Sequence, residues 1–151
     1  QWADLGNQLK PAMEVSAPVL QVHPLKQGEG ISYGWTHVAE CDCTVAIIGA
    51  GYADNYSRSL SNTGEMNIGG HRVPILGRVC MQMTAVDVTD IMGEGFGDAI
   101  DDHIGVKSGD TAWLLGGPGS GVVTPEDLAG WWQTITYEVF CVLGMNQRTY
   151  I

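Results

Sequence analysis

The sequence reads as a mainly β domain. Twenty-one glycines are spread through 151 residues with short apolar runs between them, the spacing of many turns and short strands rather than of long helices. Several of those runs alternate, or are rich in β-branched residues, as strands do. Helix signals are confined to the part of the chain after Val123.

The elements follow in order. Ala17 to Pro24 alternates like a strand bounded by prolines, and Cys43 to Ile48 reads as a buried strand. Glu65-Met66-Asn67-Ile68 and His71 to Leu76 are separated by Gly69-Gly70, a two-residue hairpin signal because both glycines can take positive φ. Pro74 places the second of these strands near an edge or a bulge. Val79 to Val88 reads as the clearest strand, with Cys80, Thr84, Val86 and Val88 on one face, Val79, Met81, Met83 and Ala85 on the other, and both faces covered. Thr111 to Leu115 is a further strand, entered through the turn Lys107-Ser108-Gly109-Asp110. A helix starts at Thr124 as cap with Pro125 at its first position and Glu126 and Asp127 at the positive end of its dipole, running to Trp131 or Trp132. A second short helix spans Tyr137 to Leu143 and ends at Gly144 as a left-handed cap.

Composition sets the class. Hydrophobic residues make up 44% and charged residues 16% of the chain, which suits one globular domain with its own core. The net charge of −10 repels phosphate backbones and anionic headgroups, so neither nucleic acid nor a membrane surface is an expected partner. No apolar stretch reaches the ~20 residues of a membrane span, and Gln1 to Lys10 lacks the apolar core of a secretory signal, so the expected location is the cytoplasm. Position 1 is Gln rather than Met and residues 1–13 show no clear periodicity, which reads either as a frayed terminus or as the stub of a connection to a missing domain, with the β domain over 14–151.

The chemistry-bearing residues mostly have plain readings. Cys41-Asp42-Cys43 has the wrong spacing for zinc and no second ligand pair nearby, so Cys41, Cys43, Cys80 and Cys141 are expected as small buried hydrophobes and no metal is expected. His23, His37, His71 and His103 are scattered. Gly116 to Gly121 lacks the Lys-Ser or Lys-Thr of a phosphate cradle and reads as a flexible turn, and Glu94 to Asp98 with Asp101-Asp102 as solvated loop charge. More telling is the scarcity of arginine: Arg58, Arg72, Arg78 and Arg148 are four of only seven basic residues. Gly51-Tyr52-Ala53-Asp54-Asn55-Tyr56-Ser57-Arg58 packs two phenols, a carboxylate and a guanidinium into one turn, either a structural corner or part of a site. Tyr33, in Ser32-Tyr33-Gly34, is either a packing residue or an exposed phenol at a loop tip. A phenol ionises near pH ~10 in water, so one serving as a base at neutral pH needs cations nearby.

Five stretches in order resemble the successive motifs of the alanine racemase carboxy-terminal domain: Val15 to Val22, Ser32-Tyr33-Gly34-Trp35-Thr36, Gly51 to Arg58, Val73 to Met81, and Thr134-Ile135-Thr136-Tyr137-Glu138. The resemblance covers nearly the whole chain. It implies a small closed Greek-key barrel with short helices near the carboxy-terminal end, belonging to a pyridoxal-phosphate-dependent isomerase that interconverts L- and D-alanine for cell-wall precursors. In that family an amino-terminal (β/α)8 barrel carries the lysine that holds pyridoxal 5'-phosphate, so this chain alone is expected to be inactive. By the resemblance, Tyr33 is the catalytic base for the face of the substrate opposite that lysine and reaches into the partner subunit of a homodimer. Tyr137 touches the cofactor phosphate. Tyr52 stands at the inner mouth of the substrate corridor, Arg58 and Arg78 line it, and Met81 offers its backbone N–H to the substrate carboxylate. The chain departs from the family pattern at Gln82, where Asp is usual, at Asn55, where Gly is common, and at Trp35, where the residue is often smaller or basic. The alternatives are a stand-alone β-barrel binding module that has kept the fold without the chemistry, and a relative acting on serine or a basic amino acid.

Overall fold

The computed structural model describes residues 12–91 and 105–147. The acidic loop around Glu94 to Asp102, His103, Arg148 and nearly all of the 1–13 segment lie outside the described residues.

Six antiparallel strands close into a barrel in the order β1 (Val15–Leu25), β4 (Cys43–Ile48), β7 (Thr84–Asp87), β6 (His71–Leu76), β5 (Glu65–Ile68) and β8 (Thr111–Leu115), with β8 returning to β1. Closure depends on the length of β1. Its first part, Val15 to Pro18, pairs with β8, and Val19 to Leu25 pairs with β4, with register shifts between Val15 and Ser16 and between Val19 and Gln21. Such irregularities bend a strand, which is what one strand shared between two sides of a small barrel requires. The β5–β6 hairpin forms as the sequence predicts, with Ile68 opposite His71 and Gly69 and Gly70 at φ 59° and 90°.

Pro74 calls for a correction, since a closed barrel has no edge. Ile75 donates its N–H to the Gly64 carbonyl and begins the ladder to β7 as the partner of Val86. Position 74 thus lies one residue outside that ladder, where a missing donor does no harm.

The barrel core is Val19, Ala46, Ile48, Met66, Ile68, Val73, Ile75, Val86, Ala112, Leu114 and their neighbours. Two helices extend it: α1 (Pro125–Trp132) buries Leu128 and Ala129, and α2 (Thr136–Leu143) buries Val139 and Leu143. Thr124 caps α1 as expected, and Asp127 also answers as its reciprocal partner. Gly144, by contrast, is right-handed at φ −67° and ψ −7°, because the chain carries the helical sense on into its next turn instead of reversing. Arg72 fastens α1 to the barrel: it pairs with Glu65 at 3.1 Å and Asp127 at 2.6 Å, donates to the Val122 carbonyl, and lies 5.5 Å from the Trp131 ring centroid.

A second cluster, Leu25, Ala39, Val45, Leu76 and Ala85, covers the outside of the barrel. Against it packs Ile31 of a small hairpin, β2 (Gly30–Ile31) and β3 (His37–Val38), inserted between β1 and β4. A lone two-stranded hairpin is marginal in water, so this packing is what gives it a fixed place. The connection between its strands is Ser32 to Thr36, which carries Tyr33.

Candidate functional site

The Tyr33 turn has an unusual backbone. Ser32 sits at φ 66° and ψ −179°, Gly34 at φ 72° and Trp35 at φ 46°. The Ser32 conformation belongs to a region normally reserved for glycine and costs on the order of 1–3 kcal/mol, so the surroundings must over-determine it. They do so through the Ser32 hydroxyl, which donates to the Arg78 carbonyl at 2.7 Å and lies 3.4 Å from Cys80 Sγ. Behind it, Gly77 is at φ 74°, and a Cβ there would come within 2.8 Å of Ser32 Cβ. The result is a phenol held out to solvent, Tyr33 being 73% exposed. Arg78 runs alongside, its Nε 3.9 Å from where a Gly34 Cβ would be.

The Gly77 to Met83 segment is the spine of the site. The alternation predicted a strand through it, but β7 begins only at Thr84. The Cys80 N–H turns back to the Met83 carbonyl, and the Cys80 and Met81 carbonyls accept from Tyr52 and Ala53 at 3.0 and 2.8 Å. Met81 and Met83 are consequently exposed, not covered. Close approach is possible because position 51 is glycine: a Cβ there would lie 2.2 Å from the Cys80 oxygen and 2.5 Å from the Met81 oxygen. This contact places the Tyr52 turn, in which Asn55 takes the left-handed conformation at φ 61°. The two phenols of that turn part company: Tyr52 is exposed, while Tyr56 is 1% exposed, its hydroxyl without a partner among the described residues. Burial pushes its phenol above the ordinary range. Tyr56 is a core residue.

The turn that begins at Arg58 is tied to the same spine through Ser61. The Arg58 carbonyl accepts from the Ser61 hydroxyl, and Ser61 Oγ accepts from the Val79 N–H at 3.0 Å. Asn62, left-handed at φ 58°, accepts from the Gly77 N–H at 2.6 Å, donates its own N–H to the Gly77 carbonyl, and donates through Nδ2 to Thr36 Oγ1 at 3.3 Å. The structure thus gathers the turns of Tyr33, Tyr52 and Arg58 around Arg78 and Met81. Asn62 was not singled out in the sequence, although Ser61-Asn62-Thr63-Gly64 carries turn chemistry that marks it.

Tyr137 stands apart on the first turn of α2, 78% exposed. The far end of that helix is tied to the Tyr52 turn by Asn146, which donates to the Asp54 carbonyl and accepts from Asn55 Nδ2, both at 2.8 Å. The cysteines are free and not buried as expected: Cys41 and Cys141 are exposed, Cys43 and Cys80 half-buried. Cys41 lies beside Asp42, which is drawn out to Lys26 at 2.8 Å, and Cys141 faces away from the packed side of α2. Among the described residues no three His, Cys, Asp or Glu side chains converge, and no helix is long and apolar enough to cross a membrane.

The family described as "Alanine racemase, C-terminal domain" matches residues 12–150. The alanine racemase of Nitratidesulfovibrio vulgaris (strain Miyazaki F) is 59% identical over 146 residues, covering 97% of this chain and 36% of that protein. That of Lawsonia intracellularis is 49% identical over 142 residues, covering 94% and 34%. The chain spans about a third of the length of these curated relatives. Among solved structures, alanine racemase from Streptomyces coelicolor A3(2) superimposes with a TM-score of 0.78 at 31% identity, over 99% of this chain and 35% of that one. The Bartonella henselae alanine racemase, solved with covalently bound pyridoxal phosphate, gives 0.75 at 32% identity, over 91% and 34%. Fold, motifs in order and relatives agree: this chain belongs to the alanine racemase C-terminal domain family.

Proposed function

We propose that the chain is the carboxy-terminal part of a cytoplasmic alanine racemase, residues 14–151 forming its β domain behind a connecting segment over 1–13, with Tyr33 as one of its two bases. The observation that carries this reading is a phenol presented to solvent on a turn whose backbone is pinned, with Arg78 Nε 3.9 Å from where a Cβ on the neighbouring Gly34 would lie. Inverting an α-carbon requires a proton taken from one face and returned to the other, hence a group on each side. Tyr33 Oη takes or returns the proton on one face. A lysine of an amino-terminal barrel domain serves the other.

The exposed apolar side chains of Tyr33, Trp35, Tyr52, Met81 and Met83 support a site finished by another surface. In this reading that surface is the partner subunit of a homodimer, so Tyr33 acts across the interface. Arg58 and Arg78, two cations in a chain of net charge −10, guide the carboxylate of the amino acid inward. Tyr52 narrows the passage and the Met81 backbone N–H meets the carboxylate. Gln82 is exposed on the same segment, and it contributes a neutral amide where a carboxylate is usual.

The described donors fit one contact to pyridoxal phosphate, not a whole pocket: the exposed phenol of Tyr137 suits a phosphate oxygen, and the rest of the cofactor belongs to the barrel domain. When bound, the cofactor delocalises the negative charge left at the α-carbon. The test is Tyr33→Phe in the longer protein. Loss of racemisation in both directions is expected, and normal rates in both would overturn the role given to Tyr33.

A further inference from the structure

The geometry points to Ser32 and Asn62 as positioning residues that hold the Tyr33 turn from its two ends, an inference that rests on the reading of Tyr33 as a base. At the entry, the Ser32 hydroxyl is bonded to the Arg78 carbonyl at 2.7 Å. At the exit, Asn62 Nδ2 is bonded to Thr36 Oγ1 at 3.3 Å, while its Oδ1 accepts from the Gly77 N–H at 2.6 Å. Gly77 and Arg78 are adjacent, so both ends of the turn are referred to one stretch of backbone.

The need for two anchors follows from the backbone between them. Ser32, Gly34 and Trp35 all have positive φ, and non-glycine residues leave such conformations unless contacts hold them there. Tyr33 itself, 73% exposed, has little packing of its own to fix its ring. Asn62 also ties the turn that follows Arg58 to the one that carries Tyr33. The two turns are therefore set relative to each other through one amide side chain.

Neither side chain touches the reacting atoms in this scheme, so their effect is on placement. A base displaced by about 1 Å loses on the order of 100-fold in rate. The test uses glycine at both positions, because both residues sit at positive φ and glycine removes the side chain without adding backbone strain. In the longer protein carrying a fluorotyrosine at position 33, Ser32→Gly, Asn62→Gly and their combination are expected to broaden the mobility of that ring by fluorine NMR. They are expected to lower kcat by roughly 10- to 100-fold with KM changed less than about twofold. Asn62→Asp keeps an acceptor for Gly77 and can accept a hydrogen bond from the Thr36 hydroxyl, so it should recover most of kcat.

An unchanged ring signal and unchanged kcat in the combined variant would overturn the inference, as would a fall in kcat matched by lost thermal stability with no change at the ring. Should the combined variant not fold, Thr36→Val cuts the Asn62 bond alone and is judged by the same two readings. If Tyr33→Phe retains racemisation, the reading of Tyr33 as a base fails, and ring mobility still decides whether Ser32 and Asn62 hold the turn.

Discussion

Arg72→Met leaves the aliphatic stem in place and removes the charged head that fastens α1 to the barrel. The head makes a bond to the Asp127 carboxylate at 2.6 Å, one to Glu65 at 3.1 Å, one to the Val122 carbonyl, and a stacking contact with Trp131 at 5.5 Å. The Arg72 side chain is 29% exposed and its carboxylate partners 32% and 38%, so each ion pair is discounted for solvent. On that basis the Glu65 pair contributes about 0.5 kcal/mol, the Asp127 pair and the carbonyl bond about 1 kcal/mol each, and the Trp131 contact about 0.5 kcal/mol. The loss comes to about 3 kcal/mol, or roughly 6–12 °C in Tm for a domain of this size. Urea and thermal unfolding followed by circular dichroism measure it, and a cycle with Asp127→Asn isolates the pair, with a coupling of about 1 kcal/mol expected. A variant within about 0.5 kcal/mol of the parent would show that the contacts are incidental and that α1 is held by Leu128 and Ala129 alone.

The same carboxylate sets a pH dependence. Burial tends to raise the Asp127 pKa, but the Thr124 N–H, the Arg72 guanidinium and the Thr124 hydroxyl outweigh it and hold the group below its ordinary value of 3.8. A depressed folded-state pKa contributes stability that is present above the unfolded value and lost as pH falls through the folded one. Urea midpoints are therefore expected to drop below about pH 4, and Asp127→Asn should flatten that part of the curve; a drop of equal size in the variant would assign it to other carboxylates. Gly51→Ala is expected to be severe, because its Cβ meets the backbone oxygens of Cys80 and Met81 at 2.2 and 2.5 Å, neither of which can rotate away. A loss of about 3 kcal/mol or more is expected in urea unfolding, and a neutral result would mean the Tyr52 turn does not lie against the spine as described.

Much of the barrel was legible because its signals are local. Cys43–Ile48, Glu65–Ile68, His71–Leu76 and Thr111–Leu115 fall where β-branched runs and turn residues place them. So does α1, whose cap, proline and acidic first turn lie within four residues of one another. Val79 to Met83 alternates like a strand and forms none, for the opposite reason. Its alternation is genuine, but its carbonyls serve the Tyr52 turn nearly thirty residues away, and the pull of that tertiary contact outweighs periodicity. Pro74 misled because closure of the sheet depends on β8 meeting β1, which no short window of sequence contains.

The site divides in the same way. That Tyr33 could stand exposed was visible in its neighbouring glycines, while its role came from the resemblance. What holds it was not visible: Asn62 bonds to Thr36 across 26 positions and to Gly77 across 15, and Ser32 bonds to Arg78 across 46. Tyr56 shows the limit of composition, since two phenols in one turn looked equivalent and the fold buries one of them completely.

Tyr33 is proposed to act on one face of the α-carbon and a group outside this chain on the other. The decisive assay is α-proton exchange with deuterated solvent, starting separately from L- and D-alanine, with the longer protein and its Tyr33→Phe variant. The variant is expected still to exchange the α-proton of one enantiomer while exchange from the other, and racemisation, fall by at least about 100-fold. Equal exchange from both enantiomers in the variant, with racemisation intact, would contradict it.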